Sequence, residues 1–260
     1  MNNTTYKDYK KFYHGGKSRI SKQISEVINN AIHGWQEPNI KRNSDNPYPE
    51  LGGGRPFVSL FCGSCAIEAK VNTKVKILND KLPYLIAMWQ ALQNGWKPPE
   101  IITKDEYYYI KERKDENPAL TGFVGFGCSF GGKWFGGLAS NKKGDNYCAR
   151  AERSLMKDLP NLMEATFTCL DYHDVEIPDD AVVYADPPYA NTTGYTLGDF
   201  DHEAFWDYMR ELSKTHKVFI SEQEAPDDFE CIWSKEQTRT LDYNKENQPK
   251  KVEKLFVWKG

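Results

Sequence analysis

The chain is 260 residues long, carries 34 Lys and Arg against 37 Asp and Glu for a formal net charge of −3, and devotes 7 Trp, 15 Tyr and 13 Phe to aromatic side chains. That length suits one large domain or a domain with an insertion, and is enough to bury a core. No apolar run approaches the roughly 18 residues of a bilayer span, the basic first twenty residues lack the apolar stretch of a secretory signal, and the near-balanced charge argues against a surface wholly given to a polyanion.

Six basic residues against one acid fall between residues 7 and 22. Ile20, Ile24, Val27, Ile28, Ala31 and Ile32 then recur at helical spacing, closed by Gly34. The polar, Pro- and Gly-rich residues 35–56 predict a loop. Residues 57–61 predict a strand running into Cys62 and Gly63, followed by Ser64 as N-cap of a short helix through Ala66, Ile67 and Ala69. A second strand, 75–78, ends at Asn79 and Asp80. Leu82, Leu85, Ile86, Trp89 and Leu92 share one face of the next helix, which Gly95 stops. The order strand, turn, helix, strand, acid, helix is the first half of a doubly wound α/β sheet.

Thr103 and Glu106 form a capping-box pattern that opens a helix through Arg113. The stretch from Gly122 to Gly137 holds seven Gly and five aromatics in sixteen residues, a composition that fits neither a regular helix nor a strand. Residues 133–157 carry six basic side chains against two acids. We read 98–160 as an insertion into an α/β domain made of residues 1–97 and 161–260. The sheet resumes at 165–169, 181–185 and 217–221, with a helix over 202–213. Segments 230–233 and 252–258 predict an antiparallel pair at one edge.

Cys62 and Cys65 have C-x-x-C spacing, but no second Cys or His pair lies at close spacing. Small buried residues in a tight turn are the simpler reading, and no metal is expected. The five His show no ligand spacing. Chemistry concentrates instead where the strand 181–185 runs into Asp186-Pro187-Pro188-Tyr189. This tetrapeptide arises by chance in roughly one chain of this length in a thousand, and it stands at the C-terminal end of a predicted central strand, where open α/β sheets bind ligands.

Taken together, Tyr13-His14-Gly15-Gly16-Lys17, the turn Phe57 to Gly63, the acid after Ile77-Leu78-Asn79 and Asp186-Pro187-Pro188-Tyr189 resemble, in the family's order, a Dam-like DNA adenine-N6 methyltransferase dependent on S-adenosylmethionine. The resemblance implies a Rossmann-like methyltransferase fold with an inserted target-recognition subdomain at 98–160. It also implies double-stranded DNA as partner, a monomer or weak dimer of bacterial or phage style, no membrane, and a cytoplasmic setting. Asp186, Pro187 and Tyr189 would be catalytic, the first two accepting the N–H bonds of the adenine amine and Tyr189 stacking on a base flipped from the duplex. Tyr13, Lys17, Phe61, Gly63, Asp80, Asp171 and Tyr172 would bind the cofactor, with Asp80 on the ribose hydroxyls and Lys17 on the carboxylate. Asp174, Asp179 and Asp180 are rivals of Asp171 for reading its adenine.

Lys133, Trp134, Lys142, Lys143 and Arg150 are candidates for DNA contact, with an aromatic wedged into the stack. The alternative is a glycine-rich turn that covers the site with its aromatics buried. One departure stands out: the family's Phe-x-Gly-x-Gly has Cys65 at its last position, where a Cβ is expected to crowd the cofactor. Asp at the first position of the tetrapeptide favours adenine over cytosine N4 or an amide. RNA adenine and a non-catalytic nucleic-acid-binding relative remain alternatives.

Overall fold

The computed structural model describes residues 17, 20–34, 54–140, 144–188, 200–237 and 251–260. Seven strands form one sheet in the order β3-β2-β1-β4-β5-β7-β6. The strands are β1 (Phe57–Ser59), β2 (Lys76–Asn79), β3 (Thr166–Thr168), β4 (Val182–Ala185), β5 (Lys217–Glu222), β6 (Phe229–Gln237) and β7 (Lys251–Trp258). β1 to β5 run parallel, while β7 inserts antiparallel between β5 and β6. The doubly wound, mostly parallel Rossmann-like sheet and the antiparallel edge pair read from the sequence are both present.

The helices are α1 (Ser21–Gly34), α2 (Pro83–Gln93), α3 (Lys104–Glu112), α4 (Pro118–Gly127), α5 (Tyr147–Asp158) and α6 (His202–Ser213). They cover both faces of the sheet, as strand alternation requires. Phe57, Val182, Tyr184, Phe219 and Leu255 face a core shared with α1, α2 and α4. Val58, Val183, Ala185, Ile220 and Phe256 face a second core under α6. The Thr103 capping box is formed: its hydroxyl accepts from the Glu106 N–H, and the Glu106 carboxylate accepts from the Thr103 N–H at 2.7 Å.

Two local expectations are corrected. The chain after the first strand does not make an α-helix capped by Ser64. It makes tight turns and then a single 3-10 turn, Glu68–Lys70, capped at Ile67 without a side-chain bond, because Gly63 (φ 46°) and Cys65 (φ 53°) both lie in the left-handed region. The Gly-rich run is also not irregular throughout, since its first third is part of α4. There the glycines are contact points: a Cβ on Gly122 would lie 2.1 Å from the Tyr84 carbonyl oxygen of α2, one on Gly125 2.3 Å from the Trp134 ring, and one on Gly127 2.9 Å from Ala151 of α5. Composition alone does not distinguish glycine used for helix packing from glycine used for turns.

Candidate active site at the sheet edge

Because β1 to β5 are parallel, the residues that follow them emerge along one edge. Register alignment puts Ser59 beside both Leu78 and Tyr184, and Asn79 beside Thr168. Phe61 and Gly63 after β1, Asp80 after β2, Asp171 and Tyr172 after β3, and Asp186 and Pro187 after β4 are thereby gathered at the ligand-binding edge of the fold. Asn79, read from the sequence only as a strand end, ties this edge together. Its Nδ2 donates to the carbonyls of Leu60 and Leu170, and its Oδ1 accepts from Thr168 Oγ1 and the Leu170 N–H, all within 3.1 Å.

The glycine turn is held from below. The Gly63 N–H donates to Asp80 Oδ2 at 2.9 Å, the Leu82 N–H donates to Asp80 Oδ1 at 2.9 Å, and Trp89 Nε1 donates to the Gly63 carbonyl. Asp80 is 1% exposed, and burial lifts its pKa to about 6 against the pull of those two N–H donors. The acid at the end of β2 therefore braces the turn, with its carboxylate closed off from solvent in this conformation. Cys65 adopts the left-handed conformation that a glycine would take, with its side chain fully buried in the core next to Cys62. Its side chain is thereby part of the core. Burial raises the Cys62 thiol to about 11, which disfavours thiolate chemistry in the C-x-x-C pair.

Phe61 and Tyr172 meet at 5.3 Å between ring centroids and join Phe200 and Phe205 in an aromatic wall beside the turn. Asp171, at the foot of that wall, accepts from Lys81 Nζ at 2.8 Å and from the His173 N–H. Burial works against its charge, but Lys81 and His173 outweigh it and lower the pKa. Asp180 is removed from the rivalry by topology: it precedes β4 at the opposite edge and pairs with Arg55.

Asp186 is met by Lys17, which also reaches Glu253. Lys17 Nζ lies 3.2 Å from Asp186 Oδ1 and 2.9 Å from Glu253 Oε2, with the Lys17 side chain 11% exposed. Burial disfavours the ammonium, yet the two carboxylates prevail and the Lys17 pKa is raised. Lys17 is therefore committed to protein carboxylates in this structure, whereas the sequence had offered it to a cofactor carboxylate. Glu253 escaped sequence reading, as it lies in an ordinary-looking strand far from any motif. Its only signal was an acid near the start of a predicted edge strand.

A buried polar stripe continues from this trio on the α1 face. The Tyr184 and Ser221 hydroxyls bond at 2.8 Å, and Ser59 Oγ donates to Glu68 Oε1 at 2.8 Å. Burial pushes Glu68 up to about 7, partly offset by N–H and hydroxyl donors. An unfolded Glu titrates near ~4.3, so folding takes up a proton between these values. The stabilisation is complete below the unfolded pKa and is lost as pH rises through about 7. We expect Glu68 to remove roughly 2–4 kcal/mol of stability between pH 4 and pH 8. Urea melts across this range should show a flatter pH dependence for Glu68→Gln, and identical curves for the two proteins would contradict the assignment.

The DNA-contact candidates separate. Lys133 and Arg150 are exposed; Arg150 lies over the Tyr147 ring and 3.7 Å from Asp145. Trp134 is taken out of the set. It is 4% exposed, stacked on Tyr84 and packed against Phe126 and Phe135, so the buried-aromatic alternative holds for this ring. Tyr13, Lys142, Lys143 and Tyr189 lie outside the described residues. Among the described residues no group of three or more His, Cys, Asp or Glu is arranged to hold a metal ion, and no helix is long and apolar enough to cross a membrane.

A solved structure of SMU.472, assigned as a methyltransferase and complexed with SAH, aligns over 98% of this chain and 55% of its own, at 11% identity and a TM-score of 0.34. This chain thus spans about half the length of that protein. The family match is of a different order, covering residues 13–122 and 138–246 and so taking in Lys17, the glycine turn, Asp80, Asp171 and the Asp-Pro-Pro-Tyr segment. By that match over most of its sequence, the chain belongs to the D12 class N6 adenine-specific DNA methyltransferase family.

Proposed function

We propose that this protein transfers a methyl group from S-adenosylmethionine to the N6 amine of adenine in double-stranded DNA. The observation that carries the reading is Asp186-Pro187 at the C-terminal end of a central parallel strand, within a chain of this family. The adenine amine is a weak nucleophile because its lone pair is delocalised into the ring. Two acceptors aimed at its N–H bonds draw the nitrogen toward tetrahedral geometry and free that lone pair. Asp186 offers its carboxylate and Pro187 its carbonyl, and the consecutive prolines fix the backbone φ that orients them. Alignment of the amine with the methyl group supplies much of the remaining rate.

The donor set suits S-adenosylmethionine. The Phe61 and Tyr172 rings offer an apolar aromatic surface for its adenine, and Asp171 a carboxylate at that surface. The excess of carboxylates over ammonium around Asp186 complements a sulfonium. When bound, the cofactor supplies an electrophilic methyl. Tyr189 would stack on the flipped base. A cleft of about 300 Å³ lined by His202, Trp206 and Glu222 opens at the end of β5, the strand paired with β4; we assign it to the displaced base. Residues 98–160 would serve as the target-recognition region, with Lys133 and Arg150 on phosphates. The protein would act as a monomer or weak dimer in the cytoplasm.

The reading is tested by methyl incorporation from labelled S-adenosylmethionine into duplex DNA, RNA, adenine-free DNA and protein. Label is expected in adenine-containing duplex DNA. Equal or greater incorporation into RNA, adenine-free DNA or protein would overturn it.

A further inference from the structure

We propose that Glu253 is a positioning residue of the methyl-transfer site: by sharing the Lys17 ammonium with Asp186, it keeps the Asp186 carboxylate negative enough to hold the target amine. The inference rests on the functional reading above. Glu253 lies beyond residue 246, where the family match ends, and it is 2% exposed.

Topology explains how a residue so late in the chain reaches the site. β7 runs antiparallel to β5, with Ser221 opposite Leu255 and Glu222 opposite Lys254. The first residues of β7 therefore lie beside the C-terminal end of β5, at the same edge as Asp186. Strand alternation turns 253 to the face of Leu255 and Val257, which is the face packed under α1. Lys17 immediately precedes α1, and its carbonyl accepts from the Ile20 N–H. The start of α1 and the start of β7 thus converge on Asp186 from different ends of the sequence.

The charges give this convergence its chemistry. Without Glu253 the Lys17 ammonium would bear on Asp186 undivided and draw down its negative charge beside the amine. With Glu253 closer to the ammonium than Asp186 is, at 2.9 Å against 3.2 Å, two carboxylates share the one ammonium. As the N6–C bond forms and the methyl–sulfur bond breaks, positive charge arrives on N6, which sheds one proton to water and is left neutral. An Asp186 carboxylate that keeps its negative charge favours that positive charge where it develops. A buried acid with no such task would be a costly substitute for an apolar residue in a strand paired on both sides.

The test combines kinetics with a measurement on the cofactor-free protein. Glu253→Gln is expected to lower kcat by about 10- to 100-fold while the KM for duplex DNA stays within about 3-fold, and Glu253→Asp, which keeps the charge, to recover much of the loss. In a Lys17→Met background the same Gln substitution should change kcat by less than about 3-fold, because the route through the ammonium is already gone. Lysine NMR of the cofactor-free wild type should show the Lys17 ammonium titrating above the other lysines, and Glu253→Asp should shift it. This last comparison stands even if the Gln variant does not fold. Wild-type kcat in Glu253→Gln, an equal loss in both backgrounds, or a Lys17 signal indifferent to Glu253 would each overturn the proposal. If the wild type itself forms no N6-methyladenine, the inference falls together with the functional reading; if it methylates and the Glu253 variants match it, the inference falls alone.

Discussion

Alanine at position 186 is expected to reduce kcat for adenine methylation by about 10²–10³-fold, in line with losing one preorganised polar group at a site of developing charge. The KM for DNA should change little, because the Asp186 interaction with the amine strengthens as the nitrogen becomes tetrahedral and contributes less in the ground state. The fold should persist. Lys17 keeps Glu253 at 2.9 Å when Asp186 is removed, so the substitution does not leave a buried ammonium stranded. Asp186→Asn is the informative companion. It preserves an acceptor oxygen but adds an N–H₂ that faces the substrate amine in one of its two orientations, and it should fall between Asp and Ala. Steady-state kinetics on a defined duplex, beside thermal melts of each variant, checks both statements. A loss that appears wholly in KM would point to uniform binding.

The second large effect is structural. Gly122→Ala should destabilise the protein by roughly 3 kcal/mol or more, at the upper end of overpacking costs. Helix propensity alone predicts the opposite sign, a gain of about 0.5–1 kcal/mol for Ala over Gly inside a helix. The geometry decides between them: the new Cβ would stand 2.1 Å from a backbone carbonyl oxygen of α2, and backbone cannot swing aside as the end of a side chain can. Gly34, at the end of α1, is the control. Nothing lies within 4 Å of its virtual Cβ, so Gly34→Ala should be neutral or slightly stabilising. Urea denaturation of the two variants beside wild type measures the contrast. Equal stabilities would mean that α2 and α4 do not approach as closely as described.

Much of this architecture was legible because the relevant signals are local. The six apolar positions between Ile20 and Ile32, the Thr103 capping box and the helix over 202–213 follow from periodicity and capping within a few residues. The antiparallel pair at the edge was readable from two late β-rich segments. The run from Gly122 to Gly137 was misread because helix packing and turn formation both call for glycine, and only the partner, here the Tyr84 carbonyl and the Trp134 ring, tells which applies. Trp134 was offered to DNA for the same reason: an aromatic among glycines and lysines looks exposed until the groove that receives it is known.

The site divides along similar lines. The edge that gathers Phe61, Gly63, Asp171, Tyr172 and Asp186 follows from parallel strand order and was readable before the structure. The protein partners of Asp80 and Lys17 were not. Asp80 spends its carboxylate on two backbone N–H groups, a choice set by burial at the end of β2. Lys17 meets Glu253 across 236 residues of chain, a distance at which sequence spacing carries no information. Cys65 shows the converse. At this departure from the family's pattern the backbone keeps the left-handed conformation a glycine would take, and the side chain is buried.

The most direct measurement of the central claim is nucleoside analysis of duplex DNA after incubation with S-adenosylmethionine, run in parallel for the wild type and Asp186→Ala. Digestion and chromatography should give N6-methyladenine from the wild type and little or none from the variant. No N6-methyladenine from the wild type, or the same amount from both proteins, would contradict the account.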